Sequence, residues 1–363
     1  MELKVLIISN IKDSAYSKPD IELIYGLKNQ GITPDVLIPA DSPYVDIFRH
    51  SGIRVIPGFS RNKFSLRSIL QIRNEIKKEK YKIVHLFNTR AIINGSFAAI
   101  GLPVKVIAYR GAAGIYWYDP TSWWAHLNPR IDWIICNSEY VRQHMQKQLL
   151  FRPKKAVMIY KGMNVSSFSS VKPFSRKDLG IADHSLIVGC VANMRKIKGL
   201  QYLLESSYYL DPELPVHFLL IGSGIDSAAN LEIIKSSPFK QNIHLLGFRK
   251  DVYELIAACD IYVQPSLSES LCRSVMEAMC LGVPCVVSDA GGLVELIEDN
   301  KSGLVVKKGN ARGITTAVES LVHNADLRKR FADEALKRMQ NIFSVQNMVL
   351  NTVQFYKSIV TKL

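Results

Sequence analysis

Three cations lie close together near the middle of the chain, at Arg195, Lys196 and Lys198. A predicted strand precedes them, and Gly199 and a predicted helix follow. Cations at the start of a helix oppose the helix dipole, so this placement is unfavourable on its own. Together with the free N–H groups of the helix, the cations would bind an anion such as a phosphate. The alternative interpretation is a basic turn that is merely solvated.

Two carboxylates lie eight residues apart, at Glu269 and Glu277, and follow another predicted strand. We expect Glu269 in a loop and Glu277 on the helix after it. The turn between them, which contains Ser270, Leu271 and Cys272, would direct backbone N–H groups to one point and form a second anion site. The two oxygens of Glu277 suit a ribose diol, although an acid early in a helix also has a purely structural explanation.

Two more junctions between a predicted strand and a predicted helix contain glycine pairs, Gly222 with Gly224 and Gly291 with Gly292. Glycine allows a backbone to approach a ligand closely. The full dinucleotide-binding pattern of three glycines is absent, because Ser227 stands where the third would be. Each junction is therefore compatible with a phosphate cradle without specifying one.

The elements that must position these residues are short apolar strands alternating with helical patterns along the whole chain. This alternation predicts parallel sheets with helices on both faces, with seven strands before residue 161 and six after residue 184. Two such series indicate two doubly wound α/β domains, 1–165 and 185–344, joined by a Ser-rich linker, 166–184. Ligands of such sheets bind outside the carboxyl ends of the strands, where the candidate residues lie. The final helix, about 345–363, would pack back on the first domain.

Charge is distributed unevenly along the 363-residue chain. Lys and Arg number 46 against 32 Asp and Glu, a net charge of +14. Residues 1–165 carry 24 basic and 12 acidic residues, net +12, so the remaining 22 and 20 leave a net +2. An excess of this size predicts an anionic partner: nucleic acid, an acidic membrane surface or an acidic substrate. The composition, 48% hydrophobic and 21% charged, excludes a disordered chain, a collagen or a coiled coil.

Two segments of the first half are candidates for contact with such an anionic partner. Residues 61–82 are rich in Lys and Arg and contain apolar residues at helical spacing, which suits either a helix on anionic lipid or an ordinary sheet-covering helix. Residues 115–124 contain five aromatic rings around a proline. Such rings favour a membrane interface or stacking on a sugar, and a minor core is the alternative.

Cysteine usage and hydropathy set the expected compartment. The six cysteines form no Cys-x-x-Cys pair, which predicts buried, reduced thiols and no metal site. No signal peptide is recognised, and no apolar stretch reaches about 18 residues. We therefore expect a cytoplasmic protein without a membrane-spanning helix.

Taken together, these segments resemble the donor domain of retaining glycosyltransferases of the GT-B fold, family 4, over residues 185–308. The matching motifs are a Glu–seven residues–Glu pair, an Arg and Lys before the first helix of the domain, and a Gly-Gly-x-x-Glu junction. They fall here on Glu269 and Glu277, Arg195 and Lys198, and Gly291, Gly292 and Glu295.

The first half resembles the same family more loosely, at residues 83–85, 137–141 and 160–164. The stretches 109–111 and 128–132 resemble a bacterial subgroup that builds surface polysaccharide or lipopolysaccharide. Three departures stand out. The glycine loop usual after the first strand is absent from residues 10–19, Ser270, Leu271 and Cys272 replace Gly-Phe-Gly, and Arg110 stands near the position of a common histidine.

The resemblance implies two Rossmann-like domains facing a central cleft, and transfer of a sugar from a nucleotide-sugar, with a UDP-sugar favoured, to a saccharide or lipid-linked acceptor. It implies no cofactor and no metal, because no Asp-x-Asp motif is present and basic residues would stabilise the departing diphosphate. The protein would act at the inner face of a membrane as a peripheral protein. The implied catalytic residues are Glu269, Arg195 and Lys198. The implied donor-binding residues are Glu277, Ser270, Leu271, Cys272, Gly222, Phe248 and Arg249. The implied acceptor residues are His85, Arg110, Trp117, Trp123 and Trp124.

Three alternatives remain at this stage. Basic patches with aromatic residues also bind single-stranded nucleic acid, but no recognition helix or RNA-binding signature is present. Nucleotide-sugar 2-epimerases share the GT-B architecture. A non-catalytic sugar-binding protein would not require both glutamates and the Arg–Lys pair.

Overall fold

The structure, a computed structural model, describes residues 3–12, 14–58 and 62–361. It divides into two compact units. Unit 1 comprises Met1–Gly162 and Phe343–Leu363, and unit 2 comprises Met163–Ile342. The described part of the structure does not include the side chains of residues 14–16, which belong to the segment 10–19 that lacks the family's glycine loop. It also does not include Arg61, the first residue of the basic segment 61–82.

The strands fall into one series for each unit. Those of unit 1 are β1 (Leu3–Ile8), β2 (Ile32–Ile38), β3 (Val55–Pro57), β4 (Ile83–Leu86), β5 (Lys105–Arg110), β6 (Trp133–Cys136) and β7 (Ala156–Met158). Those of unit 2 are β8 (Leu186–Val191), β9 (Val216–Ile221), β10 (Ile243–Leu245), β11 (Ile261–Gln264), β12 (Cys285–Ser288) and β13 (Gly303–Val306).

Helices separate these strands. The helices are α1 (Ser14–Asn29), α2 (Tyr44–His50), α3 (Leu66–Glu79), α4 (Thr89–Ala98), α5 (Pro120–Trp124), α6 (Glu139–Gln148), α7 (Leu200–Ser206), α8 (Ala228–Ser236), α9 (Val252–Ala257), α10 (Arg273–Cys280), α11 (Leu293–Leu296), α12 (Ala311–Val322), α13 (Ala325–Asn341) and α14 (Val345–Val360).

Each unit contains one parallel sheet. The strand order is β3-β2-β1-β4-β5-β6-β7 in unit 1 and β10-β9-β8-β11-β12-β13 in unit 2, with parallel register between all neighbours. The prediction of two doubly wound α/β units is confirmed. Since all strands of a sheet point the same way, the loops after β8, β9, β11 and β12 meet at one edge of unit 2.

Helix α14 packs within unit 1 although the whole of unit 2 precedes it in the chain. Met348, Val353 and Tyr356 are buried in the core beneath β1, β4 and α1. A Cβ atom on Gly26 of α1 would lie 2.2 Å from Val349, so the glycine allows the two helices to touch. Where the chain leaves unit 1, the N–H of Gly162 donates to the sulfur of Met348 at 3.2 Å.

Residues 166–184, predicted as a linker, lie within unit 2 in the structure. Arg176 forms an ion pair with Asp260 at 2.9 Å, and its guanidinium also donates to the carbonyl of Ser185 at 2.6 Å. The ring of Phe168 packs on Tyr253 at 5.1 Å. These contacts hold the serine-rich segment within unit 2.

The basic segment of unit 1 divides its apolar residues between the core and the surface. Helix α3 buries Ile69, Ile72 and Ile76 in the core. Phe64 and Leu70, in contrast, remain about half exposed, at 48% and 51%. The aromatic segment contains helix α5, which begins because Asp119 accepts a hydrogen bond from Thr121 N–H and Pro120 occupies the first helical position.

In the part of the chain that the structure describes, no helix is long and apolar enough to cross a membrane. All six cysteines are buried and unpaired by disulfides.

Candidate functional site

The basic segment after β8 forms a tight turn at the carboxyl edge of the unit 2 sheet. Lys196–Lys198 form a 3-10 turn, and Gly199 adopts a left-handed conformation, with φ 66°, before α7 begins. A Cβ atom on Gly199 would lie 2.1 Å from the carbonyl oxygen of Pro265. Glycine is required there because the turn passes directly over the end of β11.

The glycine loop after β9 lies against the same turn. Gly222 has φ 143°, and a Cβ atom there would lie 1.6 Å from the carbonyl oxygen of Ala192. The N–H of Met194 donates to the carbonyl of Ser223 at 3.1 Å. The loops after β8 and β9 are therefore locked together through backbone atoms.

The loop after β11 brings two of the predicted catalytic residues, Glu269 and Lys198, together. Lys198 Nζ lies 2.5 Å from Glu269 Oε2, and the two side chains are only 14% and 15% exposed. Burial alone lowers the pKa of Lys198, but the charge of the Glu269 carboxylate and its hydrogen bond oppose this, and the pKa of Lys198 is raised, so the amine stays protonated. The N–H of Leu267 donates to the carbonyl of Ile197 at 2.7 Å and supports this pairing.

Arg195 lies in the same turn but faces solvent. Its side chain is exposed, and its Nε donates to Asn193 Oδ1 at 3.2 Å. Asn193 thus orients Arg195, although it was not among the residues predicted from the sequence.

The Gly-Gly junction after β12 closes the other side of the loop. The N–H of Gly292 donates to the carbonyl of Glu269 at 3.1 Å. A Cβ atom on Gly292 would lie 2.2 Å from the carbonyl oxygen of Ser270. Glycine is therefore required at this position, because it allows the junction to pack against the backbone of Glu269 and Ser270.

Helix α10 places Glu277 beneath this loop. Glu277 is buried, and its Oε1 accepts from Arg273 Nε at 2.8 Å. Arg273 also donates to the hydroxyl of Tyr253 at 3.1 Å. Arg273 was not among the residues predicted from the sequence, although an Arg four residues before a Glu on a helix is a recognisable ion-pair signal.

The residues between the two glutamates differ in exposure. Ser270 is half-buried, whereas Leu271 and Cys272 are buried. Burial raises the pKa of the Cys272 thiol to about 11, so it is neutral at pH 7. Its sulfur lies 3.3 Å from the Ser274 hydroxyl.

A buried hydrogen-bond network supports the loop from below. The hydroxyl of Tyr262 accepts from the N–H of Val191 and donates to Gln264 Oε1 at 3.1 Å. Gln264 in turn donates to the hydroxyl of Ser266 at 2.9 Å and accepts from Ser274 at 3.2 Å. The network links β8, β11 and α10 at the edge that carries the site.

The remaining predicted donor residues lie after β10. Phe248 is 72% exposed. Arg249 pairs with Asp251, its Nε lying 2.8 Å from Oδ1, and its guanidinium lies 5.3 Å from the ring centre of Phe174. Phe248 is thus the more available of the two for a planar ligand.

The predicted acceptor residues lie in unit 1. His85 is buried, and its Nδ1 lies 2.6 Å from the hydroxyl of Tyr356. Burial lowers the pKa of His85 to about 3, so the ring is neutral. The cavity beside it measures about 20 Å³, enough for a single water. Arg110 donates to the carbonyls of Ala112 and Ala113, and burial lowers its pKa.

The three predicted tryptophans lie at the surface of unit 1. Trp117, Trp123 and Trp124 are 49%, 42% and 53% exposed. The indole of Trp123 donates to the carbonyl of Trp117 at 2.7 Å, and Trp124 packs edge-on against Phe64 at 6.1 Å. The aromatic segment therefore adjoins the exposed apolar residues that precede α3.

Within residues 3–12, 14–58 and 62–361, no group of three or more His, Cys, Asp or Glu side chains is arranged to hold a metal ion.

Two family models match separate parts of the chain. The model described as glycosyl transferases group 1 matches residues 171–338, and the model described as Glycosyltransferase Family 4 matches residues 21–167.

Known proteins give consistent matches. The chain is 28% identical to an N,N'-diacetylbacillosaminyl-diphospho-undecaprenol alpha-1,3-N-acetylgalactosaminyltransferase of Campylobacter jejuni, over 90% of this chain and 93% of that protein. It is 24% identical to a UDP-Gal:alpha-D-GlcNAc-diphosphoundecaprenol alpha-1,3-galactosyltransferase of Escherichia coli, over 92% and 88%. A solved glycosyltransferase structure from Rickettsia africae ESF-5 shares the fold, with a TM-score of 0.81 at 21% identity over 99% of each chain.

Proposed function

The chain belongs to the family 4 glycosyltransferases of the GT-B fold, and from this premise we propose that it transfers a sugar from a nucleotide-sugar to an acceptor hydroxyl with retention of anomeric configuration. A UDP-sugar is the proposed donor, in line with the UDP-Gal named for the E. coli relative. The observation that carries the proposal is the Lys198–Glu269 pair, held where the loops after β8, β11 and β12 meet.

The chemical difficulty of the reaction is the diphosphate that departs with negative charge. Lys198 and Arg195 present fixed positive charge at the carboxyl edge of the sheet, and Lys198 is already oriented by Glu269. Charge that is placed before the reaction begins stabilises the transition state without costly reorganisation. Glu269 would face the transferred sugar and hold Lys198 at the same time.

The nucleoside would lie over α10. In this proposal Glu277 accepts hydrogen bonds from the ribose diol, while Arg273 fixes the direction of its carboxylate. The exposed ring of Phe248 would border the base. The phosphates would lie near the loop of Gly222, which packs closely against Ala192.

The proposed acceptor is a saccharide or a lipid-linked saccharide in the synthesis of surface polysaccharide or lipopolysaccharide. Both relatives described above are named for diphospho-undecaprenol-linked acceptors. The net charge of +12 on residues 1–165 supports an anionic acceptor at this half of the chain.

The test is incubation of the protein with a panel of UDP-, GDP- and ADP-sugars. We expect slow hydrolysis of one of them to free nucleotide and free sugar. A free 2-epimer as the product would instead favour a GT-B epimerase. Absence of both hydrolysis and binding across the panel would contradict the proposal.

We also propose that catalysis needs no metal ion, because Lys198 and Arg195 can neutralise the leaving diphosphate. Turnover in EDTA should then stay within about twofold of turnover in untreated buffer. Initial rates with and without EDTA measure this. A tenfold or larger loss that Mn²⁺ restores would show that the cations are insufficient.

Peripheral contact with an anionic membrane is the last part of the proposal. At the surface of unit 1 the exposed rings of Phe64 and Trp124 pack against each other, and the exposed cations Lys63 and Arg67 lie within three residues of Phe64 in the sequence. Each cation near an anionic bilayer contributes about 1 kcal/mol. In sedimentation with phosphatidylglycerol liposomes at low salt, Lys63→Glu/Arg67→Glu should therefore reduce binding at least about tenfold.

The matched control for this experiment reverses two exposed lysines of unit 2. Lys240→Glu/Lys250→Glu makes the same change in net charge. Equal losses in the two double variants would mean that the liposomes respond to net charge alone, and the assigned surface would be wrong.

A further inference from the structure

An apolar cavity of about 260 Å³ lies in unit 1, between the segment after α5 and the end of α6. Its inner wall includes the buried side chains of Leu127, Ile131 and Ile134. Its outer wall includes Leu150 and Phe151, which are 51% and 90% exposed. The volume exceeds the roughly 150 Å³ of an apolar cavity that binds benzene, so an apolar group of more than six carbons fits.

The charged lining residues of this cavity are Arg152 and Lys155. Arg152 is exposed and Lys155 is half-buried, so neither is enclosed in the apolar interior. The ammonium of Lys155 donates to the backbone carbonyl of Ile131. No carboxylate is among the lining residues. The opening thus attracts an anion while the interior accepts hydrocarbon.

The buried histidine of the lining does not add charge to the interior. The ring of His126 lies 3.2 Å from the carbonyl of Tyr109 through Nε2. Burial, with a contribution from Arg110, lowers the pKa of His126 to about 3, so the ring is neutral at physiological pH. Trp123, from the aromatic segment, completes the wall beside the mouth.

From this arrangement we infer that the cavity binds one hydrocarbon chain of a lipid phosphate, whose phosphate lies against Arg152 and Lys155. The inference rests on the proposed function, since it adds a site for a lipid-linked acceptor or for a bilayer lipid. A neutral chain would leave the two cations unused, and inorganic phosphate would leave the apolar interior empty.

Titration calorimetry of the full chain tests the inference with farnesyl phosphate, decyl phosphate and inorganic phosphate, each below its aggregation concentration. At least one chain phosphate should bind ten times more tightly than inorganic phosphate. Tighter binding of farnesyl phosphate would indicate an isoprenoid acceptor, and equal or tighter binding of decyl phosphate would indicate a bilayer lipid. If neither chain phosphate exceeds inorganic phosphate, the inference is overturned.

Two matched pairs of variants locate the binding. Arg152→Glu should weaken binding of the chain phosphate at least fivefold. Lys154→Glu makes an equal charge change on an exposed residue outside the lining and should weaken binding less than twofold. Leu150→Trp, which narrows the cavity, should also weaken binding at least fivefold, whereas Leu231→Trp in unit 2 should leave it unchanged. Equal effects within either pair would place the binding elsewhere.

Failure of this experiment is distinguishable from failure of the proposed function. Hydrolysis of a nucleotide-sugar depends on Lys198 and Glu269 in unit 2, whereas none of the cavity residues belongs to unit 2. A protein that hydrolyses the donor but ignores chain phosphates would refute only the cavity assignment.

Discussion

Replacement of Lys198 with alanine should lower turnover of the nucleotide-sugar at least about a hundredfold, the usual effect of removing one preorganised electrostatic group. Lys198 is 14% exposed and fixed by Glu269 at 2.5 Å, so its charge is only partly screened by water. Steady-state kinetics of donor hydrolysis measure the effect. We expect kcat to fall with kcat/KM, because the charge acts on the departing diphosphate.

The control for Lys198→Ala is Lys235→Ala, which also removes a lysine from a Lys–Glu pair of unit 2. Lys235 lies 3.3 Å from Glu232, but both side chains are more than 70% exposed. That variant should retain full turnover. Full turnover in Lys198→Ala would contradict the assignment of Lys198.

An orphaned Glu269 could itself disturb the site, and a double variant separates this effect. Lys198→Ala/Glu269→Gln removes the negative charge that Lys198 normally balances. Recovery of activity in the double variant would mean that Lys198 only neutralises Glu269. We expect no recovery, because the diphosphate still lacks its cation and the transferred sugar has lost the Glu269 carboxylate.

Gly222→Ala should lower the free energy of unfolding by at least about 2 kcal/mol and weaken donor binding about tenfold. The backbone at φ 143° is strained for any residue with a Cβ atom, and that atom would lie 1.6 Å from Ala192 O. The loop after β8, which bears Arg195 and Lys198, must move to relieve the clash. Urea unfolding and equilibrium binding of UDP measure the two effects.

Gly180→Ala is the matched control for the glycine experiment. Gly180 has φ 70°, with no atom within 4 Å of the added Cβ among the residues described, so only backbone strain of about 1 kcal/mol is expected. UDP binding should stay unchanged in this variant. Comparable losses of stability and binding in both variants would show that the approach of Gly222 to Ala192 is unimportant.

The strands were readable from the sequence because each is a short apolar run enclosed by helices. The strands Ile83–Leu86 and Ile261–Gln264 are short runs of this kind. Helix α5 was less readable, since its aromatic residues do not suggest a helix. Only the Asp119–Pro120 start signals it.

The candidate site was predictable as a set of residues but not as a set of contacts. Position after a strand was enough to select Lys198 and Glu269, yet their ion pair joins loops 71 residues apart. The Arg273–Glu277 pair, by contrast, is local, and the spacing of four residues was available to sequence reasoning. The approach of Gly222 to Ala192 depends on the order of β8 and β9 in the sheet, which no local pattern specifies.

The position of α14 has a consequence for the order in which the protein folds during synthesis. The ring of Tyr160, just before the chain leaves unit 1, packs on Phe343, just after it returns, at 4.8 Å. Unit 2 is continuous in sequence and can assemble as soon as it leaves the ribosome. The core of unit 1 is complete only once α14 has been synthesised, because Met348, Val349 and Tyr356 of that helix belong to it. The half synthesised first is therefore completed after the half that follows it, and the part of its core that α14 buries stays uncovered until then.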